Sequence, residues 1–193
     1  MRILLLTMCL AFITSSALAE TLSLKAKAKW VSDAPGEKII GSAKGKAELS
    51  MTGADWKTLK GQIMFPVESM KSGNSTRDKH LRSETWLDAK RYPNITFSFG
   101  KDKAGIDKIA QDDNGWTTMQ VMGVMNIHGV DQEMIAEARA KTIEKDGVKK
   151  VKIKTKFPIK LGQYQIKGKA GIVGDKVGET IEVSATLVGK IDS

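Results

Sequence analysis

Along most of this chain every second residue is apolar, and the residues between are polar and rich in lysine. Leu22, Leu24, Ala26, Ala28 and Trp30 alternate with Ser23, Lys25, Lys27 and Lys29. Val151, Ile153, Thr155, Phe157 and Ile159 alternate with lysines at 150, 152, 154, 156 and 160. A period of two is strand geometry, because successive side chains leave opposite faces of an extended chain. The same period marks residues 43–51, 59–67, 95–99, 119–127 and 181–190. Residues 131–145 have the propensity of a helix. Their even positions, Met134, Ala136, Ala138 and Ala140, also form an apolar face opposite Glu133, Glu137, Arg139 and Lys141. Strand is the reading adopted, because it completes a hairpin with the strand before Gly129. The expectation is therefore an all-β fold of eight strands.

In water the apolar face turns inward. An outer-membrane barrel needs the reverse, an apolar exterior and a polar lumen. Five lysines on one side of residues 150–160 could not face the hydrocarbon of a bilayer cheaply. The alternation suits a closed antiparallel barrel, and a β-sandwich shows the same pattern. Many inward positions are small: Ala26, Ala28, Ala43, Gly45, Ala47, Gly61, Gly123, Ala136, Ala138, Ala185 and Gly189. Eight strands enclose room for packed side chains or for one ligand. Either an apolar ligand completes this interior, or the larger Leu, Met, Phe and Trp side chains fill it. The candidate lumen contacts are Leu24, Ala26, Ala47, Leu49, Ile63, Phe65, Phe97, Met125, Ile153, Phe157, Val183 and Leu187.

The amino-terminal end reads differently. Met1 and Arg2 precede an apolar run at 3–13, then Thr14, Ser15, Ser16 and the A-x-A sequence Ala17-Leu18-Ala19. This is the order of a secretory signal peptide, with cleavage expected after Ala19. A run of 11 residues is short for a spanning helix, which needs roughly 20. Cleavage leaves 174 residues (193 minus 19), expected to form a single domain over 20–193. The lone Cys9 lies in the leader, in the wrong context for a lipoprotein cysteine. A cysteine-free exported chain is compatible with the periplasm. The net charge is +9, or +8 without Arg2. Such a balance serves nucleic acid, anionic lipid or solubility, and export argues against nucleic acid. The lysine rows read as solvated exterior and edge protection, or as transient attraction to an anionic membrane surface.

Helical signals are confined to about 75–90. Ser75 can cap a short helix reaching Leu81, and Ser83 a second carrying Trp86, Leu87 and Ala89 before Pro93. Around this insert stand Arg77-Asp78-Lys79-His80-Leu81-Arg82-Ser83, Trp86-Leu87-Asp88 and Arg91-Tyr92-Pro93-Asn94-Ile95-Thr96-Phe97. Later comes Gly123-Val124-Met125-Asn126-Ile127-His128-Gly129-Val130. In this order the segments resemble the signature of the YceI-like family. The resemblance implies a lipocalin-like eight-stranded barrel with a helical insert, a periplasmic location, and binding of polyisoprenoids or other long amphiphiles. That family's late R-S-D-F-G motif is altered: Phe157-Pro158-Ile159-Lys160-Leu161-Gly162-Gln163-Tyr164 lacks the Arg and the Asp.

The polar candidates each have two readings. Arg77 and Asp78 can pair to fix the insert to the barrel rim. Arg77, His80 or Arg82 can instead meet an anionic head group, for which the planar guanidinium fork is suited. His80 and His128 are the only histidines and read as structural hydrogen-bonders, His128 bracing its hairpin turn. No nucleophile elbow, phosphate-cradling glycine loop or H-E-x-x-H occurs. No cofactor or metal is expected. The leading expectation is a non-enzymatic carrier of a long-chain isoprenoid or fatty amphiphile, monomeric or homodimeric. A stress-response or protein-interaction scaffold without a bound lipid, and an isoprenoid-modifying enzyme, are the alternatives.

Overall fold

The computed structural model of the chain describes residues 19–100 and 105–192. The leader expected over 1–19 lies outside these residues except for Ala19, which opens the first strand. The strands are β1 Ala19–Ala34, β2 Glu37–Thr52, β3 Asp55–Pro66, β4 Asn94–Phe99 and β5 Ile106–Gln111. They continue with β6 Thr117–Ile127, β7 Val130–Lys145, β8 Val148–Lys160 and β9 Thr180–Asp192. One short helix, α1, spans Ser75–Leu81. All pairings between the strands are antiparallel. The order is β4-β3-β2-β1-β9-β8-β7-β6, and β4 pairs with β6 to close the ring. This closure decides for a barrel over a sandwich. The ring is eight strands wide, because β5 follows β4 along the same edge of β6.

The alternation explains why these segments are strands. On β1 the residues from Leu22 to Trp30 switch strictly between buried and exposed. β7 forms as read, its helix propensity overridden by burial of Ala136, Ala138 and Ala140. Two tight turns follow from their residues. Asp146 and Gly147 both have positive φ, 54° and 72°, as do His128 and Gly129, 54° and 74°. Two consecutive left-handed residues make the turn whose twist matches a hairpin.

Three segments differ from the expectation. β5 carries no usable period: Ile106 and Ile109 both pack on the core, three residues apart. A bulge between Asp107 and Ala110 accounts for this spacing, with Lys108 at φ 49°. The second insert helix does not form. Residues after Ser83 run as successive turns, with Asp88 held at φ 43°. α1 is capped not by Ser75 but by Asn74, whose side chain accepts from the Arg77 backbone N–H at 3.0 Å. Asp112, in the turn between β5 and β6, is half-buried and organises its loop. It accepts from the backbone N–H of Trp116 and Asn114 and from Arg139. The Trp116 bond foremost holds its carboxyl below the usual carboxylate range.

Candidate ligand cavity

The up-and-down path sends alternate connections to opposite ends of the ring. One end carries the turns at 53–54 and 146–147 and the start of β1. It is plugged: Leu22, Leu24, Met51, Leu59 and Val151 are buried there. The other end gathers the β1–β2 turn, the insert 67–93, the His128-Gly129 turn and the segment 161–179. Between plug and mouth lies a cavity of about 760 Å³. That is well within the roughly 300–1,000 Å³ of small-molecule sites. Leu49, Leu59, Met119 and Leu187 line it toward the plug, and Phe65, Ile95, Phe157, Ile159 and Ile181 toward the mouth. Exposed Glu37, Thr76, His80, Lys169 and Lys176 also border it, so the cavity reaches solvent at this end.

The small inward residues divide into two sets. Glycines are already covered by neighbours. A Cβ at Gly45 would strike the Phe65 ring, one at Gly123 the Phe97 ring, and one at Gly189 the Leu24 side chain. Gly41 lies under the indole of Trp30 in the same way. These large side chains lean into hollows that only glycine leaves. Five of the seven inward alanines are not covered: Ala28, Ala43, Ala136, Ala138 and Ala185 line the cavity. The interior is therefore filled in part by its own large side chains and left in part as a cavity.

Nine of the twelve candidate lumen residues border this space: Leu49, Ile63, Phe65, Phe97, Met125, Ile153, Phe157, Val183 and Leu187. Leu24, Ala26 and Ala47 are buried but do not border it. They pair with one another or with neighbouring strands near the plugged end, Leu24 opposite Ala47 and Ala26 opposite Gly45. Trp30, Met70, Leu81, Trp86, Ile166 and Ile172 line the cavity without having been singled out. Trp30 was visible in the β1 alternation. Ile166 and Ile172 lie in an irregular segment whose sequence carries no period.

The charged candidates at the rim separate. Arg77 and Asp78 do not pair with each other. Arg77 reaches Glu37 of β2, Nη2 to Oε1 at 2.8 Å, and pins α1 to the rim. Asp78 accepts from both the hydroxyl and the backbone N–H of Ser72, each at 2.7 Å. Those bonds, the hydroxyl's first, hold its carboxyl below the usual range against the opposing effect of burial. Arg82 turns away from the cavity to Glu68, Nε to Oε2 at 3.2 Å. Arg77 and His80 border the cavity with Lys169 and Lys176, so the rim is basic. Among the described residues no three His, Cys, Asp or Glu side chains gather closely enough to hold a metal ion.

Two aromatic contacts hold the mouth segments in place. The Trp86 ring rests on Gly168, where a Cβ would collide with it, so the insert and the 161–179 segment meet. Tyr92 covers Gly129, and its ring meets that of His128 edge-on at 5.0 Å. His128 Nδ1 lies 3.4 Å from the carbonyl of Tyr164. This ties the β6–β7 turn to the altered late motif, where burial raises the Tyr164 phenol above its ordinary value.

The fold recurs among solved structures. BcnA of Burkholderia cenocepacia aligns with a TM-score of 0.65 at 19% identity, over 85% of this chain and 96% of that one. A polyisoprenoid binding domain from Saccharophagus degradans, implicated in plant cell wall breakdown, aligns at 0.61 and 14%, over 90% and 98%. The YCEI protein of Campylobacter jejuni aligns at 0.56 and 21%, over 69% and 73%. No curated protein matches the chain. The sequence profile of the YceI-like domain matches residues 21–188, from the first strand of the ring into the last, and the chain belongs to that family.

Proposed function

We propose that this chain is an exported, periplasmic carrier that holds a long-chain isoprenoid or similar amphiphilic lipid in the barrel lumen. The observation that carries this is the cavity of about 760 Å³, walled by alanine and larger apolar side chains and open at one end. The family membership and the polyisoprenoid binding domain among the structural relatives support it. At about 30 Å³ for a group the size of one water, the space takes on the order of 25 chain atoms. Each buried methylene contributes roughly 0.8 kcal/mol, so a hydrocarbon tail binds strongly without polar help. The basic rim of Arg77, His80, Lys169 and Lys176 favours an anionic or strongly polar head. Arg77 is already engaged by Glu37, which leaves His80 and the two lysines as the nearer candidates. Binding, not turnover, is the activity proposed. The leader supplies the export route, and the basic exterior suits a protein working near membranes.

The test is native mass spectrometry of protein purified from its own periplasm, followed by organic extraction. One lipid per barrel is the expected result. Protein that arrives empty and takes up no added isoprenoid or fatty acid refutes the carrier reading. Chemical change of an added lipid would move the assignment to an enzyme.

A further inference from the structure

The outer wall of the ring is as unequal as its interior. Across β2, β1, β9, β8 and β7 one row reads Lys44, Lys27, Thr186, Lys154, Arg139. The next reads Lys46, Lys25, Val188, Lys152, Lys141. The flanking rows add Lys29 and Lys156 on one side, Lys150 and Lys190 on the other. Together these rows hold twelve cations and two carboxylates, Glu48 and Glu137, both at the lateral edge. That is a formal +10, against +9 for the whole chain, so all remaining residues sum to −1. On the central strands β1, β9 and β8 the four rows carry eight lysines and no carboxylate. Among the described residues only Lys46 and Arg139 of the twelve reach a carboxylate.

Ordinary solubility does not require this arrangement. Lysines also protect exposed sheet edges, but in a closed ring β1, β9 and β8 are paired on both sides. Lys25 faces Lys46, Lys27 faces Lys44, Lys150 faces Lys190, Lys141 faces Lys152, and Arg139 faces Lys154. Like charges directly opposite on a sheet are destabilising, and mixed signs would serve solubility without that cost. An opposing layer of negative charge cancels it. At the centre Thr186 and Val188, the latter 42% exposed, keep the surface low between the lysine arms. No aromatic residue belongs to these four rows of β1, β9 and β8, and Trp116, which reaches them before β6, lies against Arg139 and Lys154; this argues against single-stranded nucleic acid, whose bases stack on free rings. The β8 lysines run on from Lys150 to Lys160, where β8 enters the mouth, and Lys169 and Lys176 continue them at the rim.

We infer that the β1-β9-β8 wall is a docking face for an anionic phospholipid surface, which it engages through lysine and headgroup phosphate. Docking by this wall brings the barrel to the layer from which an apolar cargo comes, and the lysines reach toward the mouth. The inference concerns the exterior and stands whether or not the lumen carries lipid.

Vesicle flotation of the full exported chain tests it. Binding is expected to vesicles of phosphatidylglycerol and phosphatidylethanolamine, and not to phosphatidylcholine. It should be released between about 20 mM and about 500 mM salt, as the screening length falls below the lysine reach. Combined Lys25→Gln, Lys27→Gln, Lys152→Gln and Lys154→Gln should weaken it roughly a hundredfold or more, at several-fold per lysine. Four cations off this wall, replaced by Lys57→Gln, Lys60→Gln, Lys79→Gln and Lys90→Gln, should leave it as in the native chain. The melting temperature of the wall variant should stay level or rise, because facing charges are removed. Equal loss from both sets would make net charge the cause and overturn the inference. So would equal binding to phosphatidylcholine, or binding to duplex DNA without binding to vesicles. Lipid content by native mass spectrometry should not change in the wall variant, so this test and that of the carrier reading can fail separately.

Discussion

The two ends of this barrel are built from the same alternation and do opposite things. At the closed end Leu22, Leu24, Met51 and Val151 are buried, and none of them borders the large cavity. At the open end Ala28, Ala43, Ala136, Ala138 and Ala185 stand at equivalent inward positions and leave a cavity. The closed end is held by apolar packing. The open end is held by a few directed contacts: Arg77 to Glu37, Asp78 to Ser72, Trp86 on Gly168, and Tyr92 on Gly129. A strand pattern thus fixes which side chains point inward, and their size alone decides whether the interior is core or container.

That contrast can be broken most forcefully at the plug. Leu22→Ala removes a fully buried side chain. It should cost about 3–5 kcal/mol, read as a lower urea midpoint, while lipid bound per folded barrel is unchanged. Equal losses of stability and of lipid would mean that plug and cavity are not separate. A smaller effect is expected from filling the container. Ala138→Phe puts a ring into the cavity and should lower lipid affinity at least about tenfold, or ~1.4 kcal/mol. Stability of the empty protein should hold or rise. Titration with a fluorescent fatty acid, alongside thermal melting, separates the two.

The smallest effect concerns acid and the mouth. The carboxyl of Asp78 is lowered by its Ser72 hydrogen bonds, so its folded value lies below the ordinary 3.8. A lowered carboxylate contributes stability that is present above the unfolded value and is lost as pH falls through the folded one. Below pH 3.8 the insert should therefore loosen while the plug stays closed. Hydrogen exchange should show faster exchange in α1 than in the Leu22 end of β1. Asp78→Ala should reproduce that loosening at neutral pH, at about 1–3 kcal/mol, and make it insensitive to acid.

Most strands were legible because burial on one side writes a period of two into the sequence. β5 was not, because the bulge at Lys108 moves Ile109 out of phase with Ile106. The second insert helix was misread from Ser83, a good cap with nothing regular behind it. Its chain is set by turns, with Trp86 and Leu87 drawn into the mouth. The cavity was only half legible. Sequence shows that Gly45 and Ala43 are small, but not that Phe65 lies over one and nothing lies over the other. Leu24, Ala26 and Ala47 point inward as expected and still miss the cavity, because height along the axis depends on register and on which end is plugged. Arg77 with Asp78 looked like one pair. The helix turns them to different partners, since adjacent helical residues do not face each other.

The ring closes unevenly. β1 and β2 zip along their whole length, Ala19 to Ala34 against Thr52 to Glu37. β4 holds β6 only from Thr96 to Phe99, and β5 resumes beyond. Mechanically the molecule is a long ribbon fastened by a short clasp. When it opens under load or heat it should part there first, between Phe97 and Met125. Because both side chains border the cavity, a tightly held guest would also fasten the clasp.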